Sequence, residues 1–450
     1  MDSLGNGATD GAVRHLAFCT RRQPVTATDR MMETTRRRVN LFRLALGLGA
    51  LGVMAAAPVA AQTAAAPKPT RTYWAWVGAE SADVLQRIRF GPEGASVDKT
   101  LPVGEQAAEM EGPHGLIISQ DRKMMYMTTG HGQPDGKLWS FALGPDTLVA
   151  PGVLLGNFPA SLDVSPDGLY AIISNFNLHG DMVPSSMSVV YTPENTEVAR
   201  IVTCTMPHGS RFEPSGRFQY SGCMMDDQLV EIDAVKFNVA RRFSLAKGAE
   251  GPLDAAAAGE MAGMKHDMAG MDHGDHAAPK PAAAPAPVVD PADLGYQGTR
   301  HAMAPNSCSP TWAQPSADGA VVFVACNKAD EVVEVDRASW TIARRFKSGR
   351  GPYNLAVTPD GRLLLATLKQ GAGFEIFDLK TGTSVAQLKG STTVAHGVAV
   401  SDDSKYAFVS SEGVGAAPGK VDIYDLITFT RVATVDVAQQ AGGIAFWKSE

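Results

Sequence analysis

Several short catalytic motifs are missing from this sequence of 450 residues. It contains no P-loop, no GxGxxG after a predicted strand, no GxSxG elbow and no HExxH. These absences argue against P-loop phosphate chemistry, dinucleotide-dependent redox chemistry, α/β-hydrolase catalysis and HExxH metalloprotease activity. There is also no CxxCH motif to attach a c-type haem, so haem is not expected as a cofactor. Nothing in the sequence points to Ser-His-Asp catalysis.

An excess of positive charge is also lacking. Lys and Arg number 40 against 47 Asp and Glu, and residues 1–61 hold eight of the basic and four of the acidic side chains. The remaining chain has 32 basic and 43 acidic side chains, a net charge near −11. This balance argues against nucleic acid or an anionic membrane surface as the partner. It suits a soluble protein that tolerates cations.

No apolar run is long enough for a comfortable membrane span. The most apolar stretch, LFRLALGLGALGVMAAAPVAAQ, follows Arg36–Arg38 and ends in small residues. This order is typical of a secretory signal peptide, with cleavage expected after Ala61. We predict that residues 1–61 are an N-terminal extension and signal peptide of the Sec or Tat type, with Met31 or Met32 as a natural start. The mature protein is predicted to be periplasmic, without a membrane span.

Cysteine is scarce, and only Cys204, Cys223, Cys308 and Cys326 lie beyond the predicted signal. An even number in an oxidising compartment favours disulfides first and thiolate metal ligands second. Reflecting the chain about the predicted turn PSADG pairs Cys308 with Cys326, and Cys204 and Cys223 have nearly the same separation. One interpretation is two related disulfides. The other is thiolate ligation of copper or haem.

The sequence instead has a repeat. An alternating apolar segment leads into a turn tetrad such as SPDG, and is followed by three further short strand-like segments. The six copies are GPHGLIISQDRK at Gly112, FPASLDVSPDG at Phe158, MPHGSRFEPSG at Met206, SPTWAQPSADG at Ser309, GPYNLAVTPDG at Gly351 and VAHGVAVSDDS at Val394. Four antiparallel strands every forty-odd residues are typical of one propeller blade.

The two chain ends complete a seventh blade. TYWAWVG, DVLQRIRF and SVDKTLPVG supply three strands near the start, and AGGIAFW supplies the fourth at the end. Pairing both ends in one sheet removes an open edge. We predict an all-β fold over residues 70–450, a seven-bladed β-propeller of four-stranded blades closed by N- and C-terminal strands in one blade. An open array of β-sandwich sheets is the alternative.

The xSPDG-like turns and the strand spacing resemble those of the YVTN-type seven-bladed β-propellers, over about residues 70–450. The resemblance implies the fold. It says little about function, because one fold hosts many unrelated sites.

Histidine concentrates at one predicted mouth of the propeller channel. Aligning the copies on their turns gives, at the start of each inner strand, His114, Ala160, His208, Ser309, Tyr353, His396 and Gly442. The ends of the second strands add His131, Cys223 with Met224, Cys326 and Glu412, and His179 lies in an equivalent loop. Neutral imidazole is the commonest transition-metal ligand. We therefore predict that His114, His208 and His396 share a metal or ligand, with His131 and His179 on the rim; ordinary channel-lining polar residues are the alternative.

One connection is far longer than the others. Residues 248–305 lie between the third and fourth blades, are rich in Ala, Pro and Gly, and are predicted to be a disordered insertion. Within it, MAGMKHDMAGMDHGDH holds the candidate ligands Met261, Met264, His266, Met268, Met271, His273 and His276. Thioethers and imidazoles on a flexible chain favour copper or silver over a rigid tetrahedral zinc site. The stretch is similar in composition to Met/His-rich segments of bacterial periplasmic copper-resistance and copper-export proteins.

These patterns favour one function and leave two alternatives. The favoured function is a periplasmic copper-binding propeller in copper handling or resistance, with a copper donor or acceptor protein as partner. The first alternative is a copper- or haem-dependent oxidoreductase with its site on the propeller axis. That class resembles the propeller domains of nitrous oxide reductase and the copper-dependent methanethiol oxidases, but this sequence offers only three His at the shared register. The second alternative is a scaffold for protein–protein interaction.

Overall fold

Short antiparallel strands make up the fold of the computed structural model, which describes residues 68–105, 109–131, 136–178, 180–253 and 306–450. Up to residue 253 the strands are β1 (Tyr73–Ala79), β2 (Val84–Gly91), β3 (Gly94–Pro102), β4 (Pro113–Ile118), β5 (Met124–Thr129), β6 (Lys137–Ala142), β7 (Thr147–Leu148), β8 (Val153–Leu154), β9 (Pro159–Val164), β10 (Tyr170–Asn175), β11 (Pro184–Tyr191), β12 (Thr196–Thr205), β13 (Pro207–Phe212), β14 (Phe218–Cys223), β15 (Gln228–Asp233), β16 (Asn238–Ser244) and β17 (Gly251–Leu253). From residue 306 they are β18 (Pro310–Pro315), β19 (Val321–Cys326), β20 (Glu331–Asp336), β21 (Thr341–Lys347), β22 (Pro352–Val357), β23 (Leu363–Leu368), β24 (Gly373–Asp378), β25 (Thr383–Lys389), β26 (Ala395–Val400), β27 (Tyr406–Ser411), β28 (Gly419–Asp425), β29 (Thr430–Val437) and β30 (Ala441–Ser449). Two short 3-10 helices, Glu80–Ala82 and Thr192–Glu194, connect strands.

The repeated turn tetrads are closed by their own side chains. In SPDG, the Ser165 hydroxyl donates to the Asp167 carboxylate at 2.5 Å and accepts the Tyr170 backbone N–H at 3.0 Å. Gly168 has a positive φ of 75°, which suits a residue without a Cβ. Such local hydrogen bonds explain why Ser, Asp and Gly recur in the turn.

The strands form a propeller-like arrangement, which confirms the predicted fold class at that level. Five sheets have four or five strands, with the orders β3-β2-β1-β30, β12-β11-β10-β9, β22-β23-β24-β25, β26-β27-β28-β29 and β4-β5-β6-β7 with β8 beside β6. The sixth sheet has nine strands, in the order β17-β16-β15-β14-β13-β18-β19-β20-β21. Its two antiparallel groups are joined by one parallel pair, Gly209 with Trp312. The separate sheets therefore number six in the described chain, rather than the predicted seven.

A cycle of seven inner strands surrounds the channel. Strand β4 contacts β9, and contacts continue through β13, β18, β22, β26 and β30 back to β4. Strand β30 also pairs antiparallel with β1, with Val77 opposite Ile444. The predicted closure by both chain ends is thus present.

The core lies between adjacent sheets, and strands such as β23 and β27 are buried on both faces, whereas the outer strand β25 is largely exposed. Tyr73, Phe90 and Phe408, for example, share one cluster and are each at most 3% exposed. Full burial of such a side chain stabilises a fold by about 1.5–3 kcal/mol. Among the described residues, no helix is both long and apolar enough to cross a membrane.

Both cysteine pairs are disulfides. Cys204 of β12 is bonded to Cys223 of β14, which links two sheets, and Cys308 before β18 is bonded to Cys326 of β19. All four residues are at most 2% exposed. Both pairs follow the disulfide interpretation, and these four cysteines carry no free thiolate in the structure.

The long insertion starts later than the sequence indicated. Its predicted first residues include β17, which pairs with β16 as an additional outer strand. Glu250 also forms an ion pair of 2.8 Å with Arg345 of β21. These tertiary contacts fix the chain up to Leu253. Residues 254–305, with the Met/His-rich stretch, lie outside the described residues.

Candidate functional site

The same backbone geometry recurs at one end of all seven inner strands. The residue before each strand has a positive φ: Gly112, Phe158, Met206, Ser309, Gly351, Val394 and Gln440. Its carbonyl accepts the backbone N–H of a residue just after a neighbouring strand, in the same order Gly130, Phe176, Met224, Asn327, Lys369, Glu412 and Glu80. These positions define one mouth of the channel.

The inner-strand residues at this mouth correct the sequence alignment at one place. Two residues beyond the positive-φ position lie His114, Ala160, His208, Thr311, Tyr353, His396 and Gly442. Ser309 was expected in this register, but it has a φ of 49° and precedes the strand. Thr311 occupies the inner position instead. The three histidines are in register, as predicted.

Glu80 organises the first group of side chains. Its carboxylate is hydrogen-bonded to His114 Nδ1, to His131 Nε2 at 3.2 Å and to Gln440 Nε2 at 2.9 Å. Burial alone would raise the pKa of Glu80. The charge of His114 and the hydrogen bonds from His114 and His131 outweigh burial and lower it. The carboxyl group is therefore ionised at neutral pH.

His208 is held by both ring nitrogens. Its Nδ1 donates to the Thr311 carbonyl at 2.8 Å, which leaves Nε2 to accept from the Tyr353 hydroxyl at 3.0 Å. Burial, followed by repulsion from His114, lowers the pKa of His208 to about 3. The ring is neutral at ordinary pH, with its lone pair on Nε2.

His396 has one ring nitrogen without a partner among the described residues. Its Nδ1 is buried and unpaired, and its Nε2 lies 3.8 Å from the Glu412 carboxylate. Burial and then the nearby charge of Lys369 hold the pKa of His396 well below 6.5. Lys369 Nζ is itself 2.9 Å from Glu412 and 4.3 Å from the centre of the Tyr353 ring.

The three histidines line one small cavity. The His114 ring centre lies 5.4 Å from that of His396 and 6.4 Å from that of His208. The cavity measures about 20 Å³, room for roughly one water. Trp312 and Asn354 also line it, and Trp312 Nε1 and Asn354 Oδ1 are buried without a partner in the described chain, like His396 Nδ1. Buried polar groups normally have partners, so the cavity suits a small polar guest.

The described residues contain no cluster of three or more His, Cys, Asp or Glu side chains placed to hold a metal ion. Tyr353 caps the Nε2 atom of His208. Shared ligation by the three histidines would therefore require this hydroxyl to move.

Close to the histidines, the mouth is apolar. Phe158, Ala160, Phe176 and Met206 form a buried cluster, against which Met224 and Met225 pack. The ring centre of Phe158 lies 5.1 Å from that of His114, and that of Phe176 lies 4.9 Å from that of His208.

The mouth therefore has two sides. We call Glu80, His114, His131, Lys369, His396, Glu412 and Gln440 the imidazole side. We call Phe158, Phe176, Met206, Met224 and Met225 the thioether side. His208 lies at their boundary.

The sequence patterns identified the three inner histidines and His131 but not Glu80 and Lys369. Glu80 could have been identified from the sequence, because it follows the strand TYWAWVGA as Glu412 follows YAFVSS. Strong pKa shifts concentrated in one cluster are typical of functional sites. His179 and the Met/His-rich stretch lie outside the described residues, so their predicted roles stay predictions.

A larger cleft of about 540 Å³ lies at the opposite ends of the strands. It is lined mainly by turn residues, and its charged pair, Glu334 and Arg344, is already joined by a hydrogen bond of 2.7 Å. Because this pair is already satisfied, the cleft offers fewer reactive side chains than the mouth.

No protein-family model and no curated protein matches this chain. Several solved structures are similar to it. The periplasmic gluconolactonase of Pseudomonas aeruginosa is similar over 84% of this chain and 99% of its own, with 15% identity and a TM-score of 0.59. A putative 6-phosphogluconolactonase of Bacteroides fragilis is similar over 84% and 98%, with 16% identity and a TM-score of 0.57. A functionally unknown protein of Desulfotomaculum acetoxidans covers 84% and 99%, with 14% identity and a TM-score of 0.57.

What these proteins share with the chain is the fold. Their identities are too low to carry substrates or catalytic residues across, because one fold hosts many functions.

Proposed function

We propose that the protein is a periplasmic copper-binding β-propeller that acts in copper handling, with the inner histidines as its fixed site. The Met/His-rich stretch at 261–276 would capture the ion, and a periplasmic donor or acceptor protein would exchange it. The buried disulfides are consistent with an oxidising compartment.

The observation that carries this proposal is the hydrogen bonding of the Nδ1 atoms. Metal-binding histidines usually donate their second ring nitrogen to a carboxylate or a backbone carbonyl, which fixes the tautomer. His114 Nδ1 is bonded to Glu80 and His208 Nδ1 to the Thr311 carbonyl. The lowered pKa values of His208 and His396 also keep both rings neutral, as a ligand must be.

We also propose that the ring consists of seven blades of the YVTN type. The nine-stranded sheet divides at its single parallel pair into two units of the same size as the others. Counted in this way, seven units each contribute one inner strand to the cycle. A single bridging pair adds little stability, so the two units are separate blades in contact.

Copper titration of the mature chain tests the proposal. We expect a variant lacking residues 261–276 to bind fewer ions but to keep one tight Cu(II). The double variant His114→Gln/His396→Gln, made in that background, should lose it. His131→Gln is the matched control on the rim, and its affinity for Cu(II) should fall less than that of the double variant. Absorption and EPR spectra report the number and type of sites.

Two results would change the conclusion. If neither the full chain nor the shortened chain binds copper above the background of an unrelated propeller, copper handling is wrong. A copper signal that bleaches with a reductant and returns with an added substrate would instead favour the oxidoreductase alternative.

A second candidate is hydrolysis, favoured by the Glu80–His114 pair. The buried carboxylate accepts the Nδ1 proton, so the neutral form of His114 has its lone pair on Nε2 and can act as a general base for water. The adjoining cavity has room for roughly one water. The Pseudomonas aeruginosa protein of similar fold is a periplasmic gluconolactonase. Lactone hydrolysis by metal-free protein that disappears in Glu80→Gln would support this candidate over copper binding.

A further inference from the structure

We infer that Met206, Met224 and Met225 form a second site, for Cu(I) or Ag(I), on the thioether side of the mouth. The inference deepens the proposed function and rests on it for the choice of metal. It places the softer ion, Cu(I) or Ag(I), at these methionines rather than at the histidines.

Backbone hydrogen bonds hold the three methionines together. The Met224 N–H donates to the Met206 carbonyl at 3.1 Å, and the Met225 N–H donates to the Thr205 carbonyl at 3.4 Å. Met206 is 8% exposed, whereas Met224 and Met225 are half-buried. Met206 is therefore enclosed, whereas Met224 and Met225 are partly exposed to solvent at the mouth.

The surroundings suit a soft ion of low charge. Methionine most often fills gaps in a core, but this cluster lies at the channel mouth, outside the main clusters between sheets. Thioether sulfur selects Cu(I) over harder ions. Phe158 and Phe176 supply an apolar wall that excludes water, and Phe176 also contacts His208. An ion bound here would lie beside the imidazole side.

The chain that returns from the insertion is fixed beside these methionines. Asn306 Nδ2 donates to the Met224 carbonyl at 2.6 Å and lies 3.8 Å from Met225 Sδ. The Asp227 carboxylate accepts the backbone N–H groups of Ser307 at 2.5 Å and Ser309 at 2.7 Å. The chain that follows the proposed copper-capturing segment therefore re-enters the described fold, at Asn306, on the thioether side of the mouth.

Methyl NMR tests the inference on unmodified side chains. Mature protein labelled at the methionine methyl groups is titrated with Ag(I), in the full chain and in the variant lacking residues 261–276. We expect the methyl signals of Met206, Met224 and Met225 to shift together with one bound ion. The exposed Met110 and Met182, at 48% and 54% exposure, should not shift. Equal shifts in all five, or none in the three, would overturn the inference.

A substitution series gives an independent readout. Met→Leu nearly conserves volume, so Met206→Leu/Met224→Leu/Met225→Leu in the shortened chain keeps the packing while removing sulfur. Cu(I) affinity, measured by competition with a chromophoric chelator, should fall at least about tenfold. The control Met110→Leu/Met182→Leu should not change it.

The Cu(II) EPR signal separates this inference from the proposed function. If Cu(II) binds at the histidines and the triple variant keeps its Cu(I) affinity, only the thioether site is wrong. If Cu(II) binding fails while the three methyl signals respond to Ag(I), the histidine site is wrong and the thioether site stands.

Discussion

The two sides of the channel mouth are built on the same repeated backbone but carry opposite chemistry. Glu80 and Phe176 occupy equivalent positions after their strands, as do His114 and Ala160 within theirs. One side places charges and imidazoles at these positions, and the other places aromatic rings and thioethers. The fold therefore fixes which backbone positions lie at the mouth, and the residue types at those positions give each side its chemistry.

Removing the Glu80 carboxylate should break the imidazole side most severely. Glu80→Ala leaves the partners His114, His131 and Gln440 without their shared acceptor, and loss of one partner from a buried charged pair costs about 3–5 kcal/mol. Urea unfolding of the metal-free protein measures this loss in the free energy of unfolding. The control Glu93→Ala, whose side chain is 83% exposed, should cost less than about 0.5 kcal/mol. Equal losses would mean that Glu80 does not organise the site.

Acid should weaken the imidazole side and leave the thioether side unaffected. Folding lowers the pKa of His208 and His396 below 6.5, so the unfolded chain binds protons that the folded chain excludes. The resulting stability is complete above pH 6.5 and falls as the pH drops toward about 3 for His208. Each histidine contributes a slope of about 1.4 kcal/mol per pH unit in this window.

Two variants separate the sides in that experiment. His396→Phe should reduce the slope of unfolding free energy against pH by the share of one histidine. Met206→Ala should lower stability at every pH without changing the slope, because it leaves His208 and the Phe176 ring beside it in place. A changed slope in Met206→Ala would contradict the division of the mouth.

The smallest expected effect is a change in the pKa of His396 when the charge of Lys369 is removed. Lys369→Met removes a cation that lowers the pKa of His396 and frees the nearby Glu412 carboxylate. Both changes favour the protonated imidazole, so the pKa of His396 should rise. An NMR titration of the His396 ring measures it, with Lys123→Met, at a site 81% exposed, as the control. A fall in the pKa would show that Lys369 does not act by charge.

Much of the fold could be predicted because its determinants are local. Ser165, Asp167 and Gly168 close their turn with their own side chains, and the spacing of such turns reveals the repeat. The closing pair of β1 and β30 followed from the incomplete strand sets at the two ends. The position of β17 could not be predicted in this way, because it depends on pairing with β16 and on the ion pair between Glu250 and Arg345.

The site was only partly predictable for a related reason. Register alone identified His114, His208 and His396 as neighbours. The partners that fix their tautomers, Glu80 and the Thr311 carbonyl, are 34 and 103 residues away along the chain. The error at Ser309 was avoidable, because SPTWAQPSADG aligns with GPYNLAVTPDG through Pro310 and Pro352 and has the same distance to the turn, which places Thr311 at the register of Tyr353.

The pairing of β1 with β30 also sets the order of events during biogenesis. Glu80 follows β1, and its partner Gln440 immediately precedes β30. Such long-range contacts form only after the intervening chain is available. The imidazole side is therefore complete only after the two chain ends have paired. If this side holds an ion as proposed, that ion can bind the full set of side chains only after the ring has closed.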